Sequence, residues 1–292
     1  MQKQIEQFIL YLKIERNYAK NTQLAYARDL QKLLDFAKQH SVNSWHDLNT
    51  DHIELWVMQM RHNNKTARTI RRRLSSVRGF LNYLVLSQVL SSNCALGLQT
   101  PKMNQHLPKT LDYEQVLLLL NPKSNNANEL RDIAIIDVMY SCGIRVSELV
   151  GLDIQDVDFD QGFLKVMGKG SKMRYVPLGE SAKASINNYL RTANSSQGAL
   201  FLTQKNTRIS TRSIQLMIKK RAYEAGIKVD VYPHMLRHAA ATHFLQSSHD
   251  LRSVQEFLGH SSIKSTQVYT HLDYLELSKV YDKCHPRARK KS

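Results

Sequence analysis

The sequence predicts a mainly α protein of two domains. The first is a four-helix N-terminal domain. The second is a mixed α/β C-terminal domain, mostly helical with a small antiparallel sheet. Three observations predict this. Apolar residues recur at helical spacing through the first 98 positions, a proline-bracketed polar run follows, and beyond it one stretch of strand-like alternation surrounds a Gly-rich turn. The 292 residues exceed the usual size of one domain, and 42% hydrophobic residues suffice for real cores.

Each element has its own local reason. Ile5, Phe8, Ile9 and Leu12 fall at i, i+3, i+4, i+7 and mark the first helix. Asn21 or Thr22 can cap a second, carrying Leu24, Leu30, Leu33, Leu34 and Phe36. Thr50 or Asp51 can cap a third, with Ile53, Trp56, Val57 and Met60. The fourth, from about 66 to 87, has a stripe of Ala67, Ile70, Leu74, Val77, Leu81 and Leu84. Arg68, Arg71, Arg72 and Arg78 lie off that stripe, and the helix has no Asp or Glu to pair with them. A DNA-facing surface is the expectation, with a solvated charged face as the alternative.

Pro101 and Pro108 bracket polar residues and disfavour helix, so residues 99–110 read as a linker between domains 1–98 and 111–292. Helical patterns follow at 113–120 and 129–142. Phe163, Leu164, Val166 and Met167 precede the turn Gly168-Lys169-Gly170-Ser171-Lys172, and Tyr175, Val176 and Leu178 follow it, the pattern of a β-hairpin. Helical patterns resume near Ser181 and Ser210.

The formal charge of +16 points to a polyanion. Residues 1–98 carry 14 basic and 7 acidic side chains, and 279–292 carry six basic residues against Asp282. Such concentration is expected of a chain that grips phosphates. No apolar run is long enough to span a membrane, and Glu6, Gln7 and Lys13 interrupt any signal-peptide pattern at the start. The three cysteines lie far apart without a CxxC, which excludes a disulfide scaffold and fits a reducing cytoplasm.

Three constellations can carry chemistry. Arg145 and Glu148 stand three apart in GIRVSEL, a spacing that also suits a plain exposed ion pair. In PHMLRH, Pro233 suits a first helical turn, and His234 and Arg237 then share a side suited to a phosphate oxygen. Zinc on His234 and His238 is disfavoured, because Met235 stands where a HExxH site has Glu. His238 and His243 read more readily as structural histidines. In LGHSS, Gly259 can end a helix with His260 at the junction, and Tyr269 follows ten residues on. Asp156, Asp158 and Asp160 mimic the start of a calcium loop, but Gln161 and Met167 occupy its glycine and glutamate positions.

In this order and context (GIRVSEL, GKGSKMR, HMLRH, LGHSS, YTHL) the pieces resemble the tyrosine recombinases, or λ-integrase family, over essentially the whole chain. The resemblance implies a SAM-like core-binding domain followed by a catalytic domain. It implies a catalytic set of Arg145, Lys169, His234, Arg237, His260 and the nucleophile Tyr269, with Glu148 in support. The arginines would clamp the non-bridging phosphate oxygens, His260 would add a hydrogen bond, and His234 would assist proton transfer. Lys169 would protonate the departing 5′ oxygen. The product would be a 3′-phosphotyrosine, with neither ATP nor metal required and no cofactor.

The compact length resembles the Xer subfamily, and the ending LSKVYDKCHPRARKK one of its two branches. That implies double-stranded DNA with a dif-like site and a heterotetramer with a XerD-like recombinase. It also implies control by an FtsK-like translocase and a role in resolving chromosome dimers. Residues 276–292 are expected to contact the partner subunit, with a solvated basic tail as the alternative. Rival readings are a plasmid-resolving, integron or phage integrase, a type IB topoisomerase, and a non-catalytic DNA-binding regulator.

Overall fold

The computed structural model describes residues 1–100, 110–168, 173–193, 197–259 and 271–288. The chain divides into two compact units, Met1–Leu107 and Pro108–Ser292.

Among its described residues the first unit holds four helices, α1 (Gln2–Ile14), α2 (Lys20–Gln39), α3 (Thr50–His62) and α4 (Ala67–Leu86). Their apolar stripes converge on one core that includes Phe8, Leu30, Leu33, Trp45, Ile53, Leu74 and Phe80. The caps differ from expectation in two places. α2 starts after Ala19 with no side-chain cap, and Leu24 on it is 44% exposed. α3 is capped by Asn49, one residue before the expected Thr50 or Asp51. Asn49 forms a reciprocal box with His52, which satisfies two N–H groups where Thr50 would satisfy one. Thr66 caps α4, accepting from the N–H of Thr69.

The expectation that the α4 arginines lack acidic partners is corrected by tertiary contacts. Arg72 pairs with Asp29, buried on α2, and Ser76 Oγ donates to the same carboxylate at 3.1 Å. Arg78 donates from Nε to the Ala95 carbonyl at 2.9 Å and from Nη2 to that of Leu98. It thus satisfies carbonyls in the segment after α4. Arg68 and Arg71 remain exposed.

In the second unit, α5 (Tyr113–Leu120) and α6 (Ala127–Ser141) lead to the short α7 (Val146–Gly151) and a 3₁₀ turn at Ile154–Asp156. Strands β1 (Val157–Asp158), β2 (Phe163–Met167) and β3 (Met173–Pro177) form an antiparallel sheet in the order β1-β2-β3. The hairpin register pairs Met167 with Met173 and Leu164 with Val176, so Leu164, Val166 and Val176 are buried. The third strand is an addition to the expected hairpin. Asp156 and Asp158 accept backbone N–H groups of Asp153 and Gln161, as turn residues do.

Helices α8 (Glu180–Ala193), α9 (Thr211–Glu224), α10 (Pro233–Ser248), α11 (Leu251–Leu258) and α12 (His271–Cys284) follow among the described residues. α6 is the central helix, with every residue from Ala134 to Ser141 buried. The segment expected to meet a neighbouring subunit is, through Ala288, packed into its own unit. Leu277, Tyr281, His285 and Ala288 are buried there, and the Glu180 N–H donates to the Ala288 carbonyl at 2.9 Å. Arg287 donates to both oxygens of the fully buried Asp137, at 3.1 and 2.6 Å.

Candidate active site

The site is built where three chain segments end. α6 stops at Ser141, and Gly143 turns the chain with φ +56°. A side chain there would suffer twice, from the left-handed backbone and from a Cβ placed 2.6 Å from the Phe257 ring. This turn delivers Arg145 as the residue that caps α7. Arg145 is therefore not on the helix face that its spacing from Glu148 suggests. Glu148 reaches back instead. Its Oε2 accepts the Arg145 N–H and its Oε1 accepts Arg145 Nη1, both at 2.8 Å.

Glu148 also receives Arg174 of β3 in a two-pronged pair, Nη1 to Oε1 and Nη2 to Oε2, each 2.9 Å. Burial pushes the Glu148 pKa up, but the hydrogen bonds and charges of Arg174 and Arg145 outweigh it and hold the carboxylate at about 2. Sequence reasoning passed over Arg174, although it stands inside GKGSKMR. The missed signal is strand alternation. Position 174 faces inward with Val176, and a charged residue on the buried face of a strand requires a partner.

Arg237 sits one turn inside α10, where Pro233 occupies the first helical position and suits the fixed φ of the start. It is only 6% exposed and donates from Nη1 to the Gly143 carbonyl and from Nη2 to the Leu258 carbonyl, the latter at 2.6 Å. Burial first, and then the charges of Arg145 and Arg174, lower its pKa to about 10 against the attraction of Glu148. Arg145, Arg174 and Arg237 thus share one field with Glu148, three positive charges against one negative.

His234 is exposed, three residues before Arg237. Lys169, His260 and Tyr269 lie outside the described residues. The residues just before Lys169 and His260 are described. Lys169 follows β2 and precedes β3, and His260 follows Gly259, the left-handed residue that ends α11 at φ +63°. A Cβ on Gly259 would stand 2.6 Å from Arg174 Nε, so the chain passes this guanidinium closely just before position 260. His243 is held in a structural contact, Nδ1 to the Tyr140 hydroxyl at 2.8 Å. No group of acidic, His or Cys residues able to hold a metal occurs among the described residues.

Known proteins resemble this chain in sequence and in fold. The Phage integrase family model matches residues 109–276, and that of the Phage integrase N-terminal SAM-like domain matches residues 5–88. The chain is 42% identical to the tyrosine recombinase XerC of Pseudomonas fluorescens, over 99% of this chain and 98% of that one. A lambda integrase dimer bound to a COC′ core site has the same fold. Its TM-score is 0.71 at 15% identity, covering 91% of this chain and 98% of that one. So does the XerH recombinase bound to a palindromic difH substrate, with a TM-score of 0.68 at 22% identity, covering 95% and 84%. With one family model spanning more than half of its length, this chain belongs to the phage integrase family and is a site-specific tyrosine recombinase, an enzyme that cuts and rejoins DNA.

Proposed function

We propose the following division of labour. Tyr269 is the nucleophile: its hydroxyl oxygen bonds to the scissile phosphorus, and the bond to the 5′ oxygen breaks. Lys169 gives that oxygen its proton, and His234 assists removal of the tyrosine proton. Arg145 and Arg237 hold the non-bridging oxygens and offset the charge of the pentacoordinate state, with His260 adding a hydrogen bond. The product is a 3′-phosphotyrosine and a 5′-hydroxyl. The phosphodiester energy stays in the covalent link, so reversal by a 5′-hydroxyl rejoins DNA without ATP.

The observation that carries this reading is the guanidinium cluster. Two arginines bond to a single carboxylate, a third, Arg237, lies within its field, and Arg145 remains 42% exposed on its side chain. Such an excess of cationic donors at a surface matches a phosphate. An ordinary tyrosine, with a pKa of about 10, is a weak nucleophile at neutral pH, and this field supplies the activation.

The first unit is the DNA-gripping domain, with Arg68 and Arg71 free for backbone phosphates, and residues 99–110 link it to the catalytic domain. The target is a dif-like site, as supported by the difH complex of the fold relative XerH. The chain works in the cytoplasm with a XerD-like recombinase in a heterotetramer under an FtsK-like translocase, in chromosome-dimer resolution at cell division. The end of the tail, beyond Ala288, contacts the neighbouring subunit.

Covalent trapping on a nicked dif-like suicide substrate, with and without a XerD-like protein, tests this. Tyr269→Phe should keep DNA binding within about twofold and give no protein–DNA adduct on a denaturing gel. An adduct formed by the Phe variant would move the nucleophile elsewhere.

A further inference from the structure

Glu148 and Arg145 alone would form a closed pair: one carboxylate, one guanidinium, no net charge. A cation so compensated offers little to a phosphate. The structure adds a second guanidinium to the same carboxylate. Arg174 takes both Glu148 oxygens at 2.9 Å, while Arg145 takes only Oε1 with its side chain. The burial divides the same way. The Arg174 and Glu148 side chains are 9% and 4% exposed, whereas that of Arg145 is 42% exposed. The pair inside is thus Arg174–Glu148, and Arg145 is the member left facing outward. The chain at Gly259 passes close to Arg174, since a Cβ there would stand 2.6 Å from Nε.

We propose that Arg174 is a positioning residue for the cleavage step: it absorbs the charge of Glu148, so that Arg145 keeps an uncompensated positive charge for the scissile phosphate. This rests on the reading of Arg145 as a phosphate clamp. The charge count makes the idea specific. Among the described residues, the three arginines and Glu148 together carry +2. Neutralising Arg174 leaves +1 and gives Glu148 a single cationic partner, Arg145. Neutralising Glu148 as well restores +2. A role confined to anchoring the hairpin predicts no such recovery, because the double variant removes more hydrogen bonding than the single one.

The test is the rate of covalent trapping on a suicide duplex by the full chain, with melting temperature and DNA affinity recorded for each variant. Arg174→Gln should slow adduct formation by about 100-fold, the scale of one lost electrostatic donor. Adding Glu148→Gln to it should recover at least about tenfold, and Arg174→Lys, which keeps the charge, should stay within about tenfold of the wild type. Wild-type rates for Arg174→Gln, or a folded double variant no faster than the single one, overturn the proposal. If Arg174→Gln does not fold, the double variant decides by itself. It should cleave within about tenfold of the wild type, and a rate as low as that of Arg145→Ala refutes the role. The Arg145→Ala control separates the two ideas. Normal cleavage by that variant removes the clamp reading, whereas loss there with an unaffected Arg174→Gln removes only this inference.

Discussion

His285 shows how strongly one buried side chain can couple this protein to pH. Tyr281 stacks on its ring at 4.7 Å, and Tyr140, Phe257 and Phe244 close in at 5.3, 5.9 and 6.2 Å. Burial pushes its pKa down to about 3, with His243 and Arg287 adding repulsion. The folded protein therefore keeps the ring neutral, whereas the unfolded chain takes a proton at about 6.5. Stability from this group is complete above about 6.5 and is lost as the pH falls toward 3, by up to about 1.4 kcal/mol per pH unit. His243 is shifted in the same direction by burial and adds to the slope. Melting of the protein should drop between pH 6.5 and 5, and His285→Gln should flatten that dependence. An unchanged slope in the variant would assign the effect to other groups.

At the scale of elements, the C-terminal segment decides more than its composition suggests. As sequence it is a basic tail. In the structure Tyr281, His285 and Ala288 complete the core of the second unit, and Arg287 neutralises Asp137. Deleting residues 280–292 removes a fully buried aromatic ring and strands a buried carboxylate, each about 3–5 kcal/mol. The expected outcome is a fall in melting temperature of about 10 °C or more, with DNA binding and assembly failing together. Deleting only 289–292 should leave the melt within about 2 °C and test the subunit contact alone. A normal melt for the longer deletion would mean that the packed segment adds nothing to the unit. Elsewhere the elements were legible locally. The stripes of α1, α3 and α4 and the 163–167/173–177 hairpin stand where periodicity places them. Asn49 displaced the expected cap of α3 because a reciprocal box needs His52 three residues on.

At the scale of the whole molecule, the formal +16 resolves into cations with different work. Arg72, Arg78, Arg174 and Arg287 are engaged within the protein. Arg68 and Arg71 are exposed. Each phosphate contact steepens the salt dependence of binding to duplex DNA by about 0.9 in log K against log salt. Arg68→Ala/Arg71→Ala should therefore lower that slope by about 2 and weaken binding to all sequences alike. A titration series at several salt concentrations checks it, and an unchanged slope places DNA elsewhere on the unit.

The ordered set from Arg145 to Tyr269 is what a family resemblance implies; the sequence by itself determined the helices and the hairpin. Those are carried by local periodicity, turn chemistry and residue type, which need no knowledge of distant neighbours. Only the tertiary structure decided which cations are spent on the fold and which face outward. Arg72 meets Asp29 across 43 positions, Arg174 meets Glu148 across 26, and Arg287 meets Asp137 across 150. Charge compensation acts through space over a few ångströms, and spacing along the chain does not record which carboxylate arrives there.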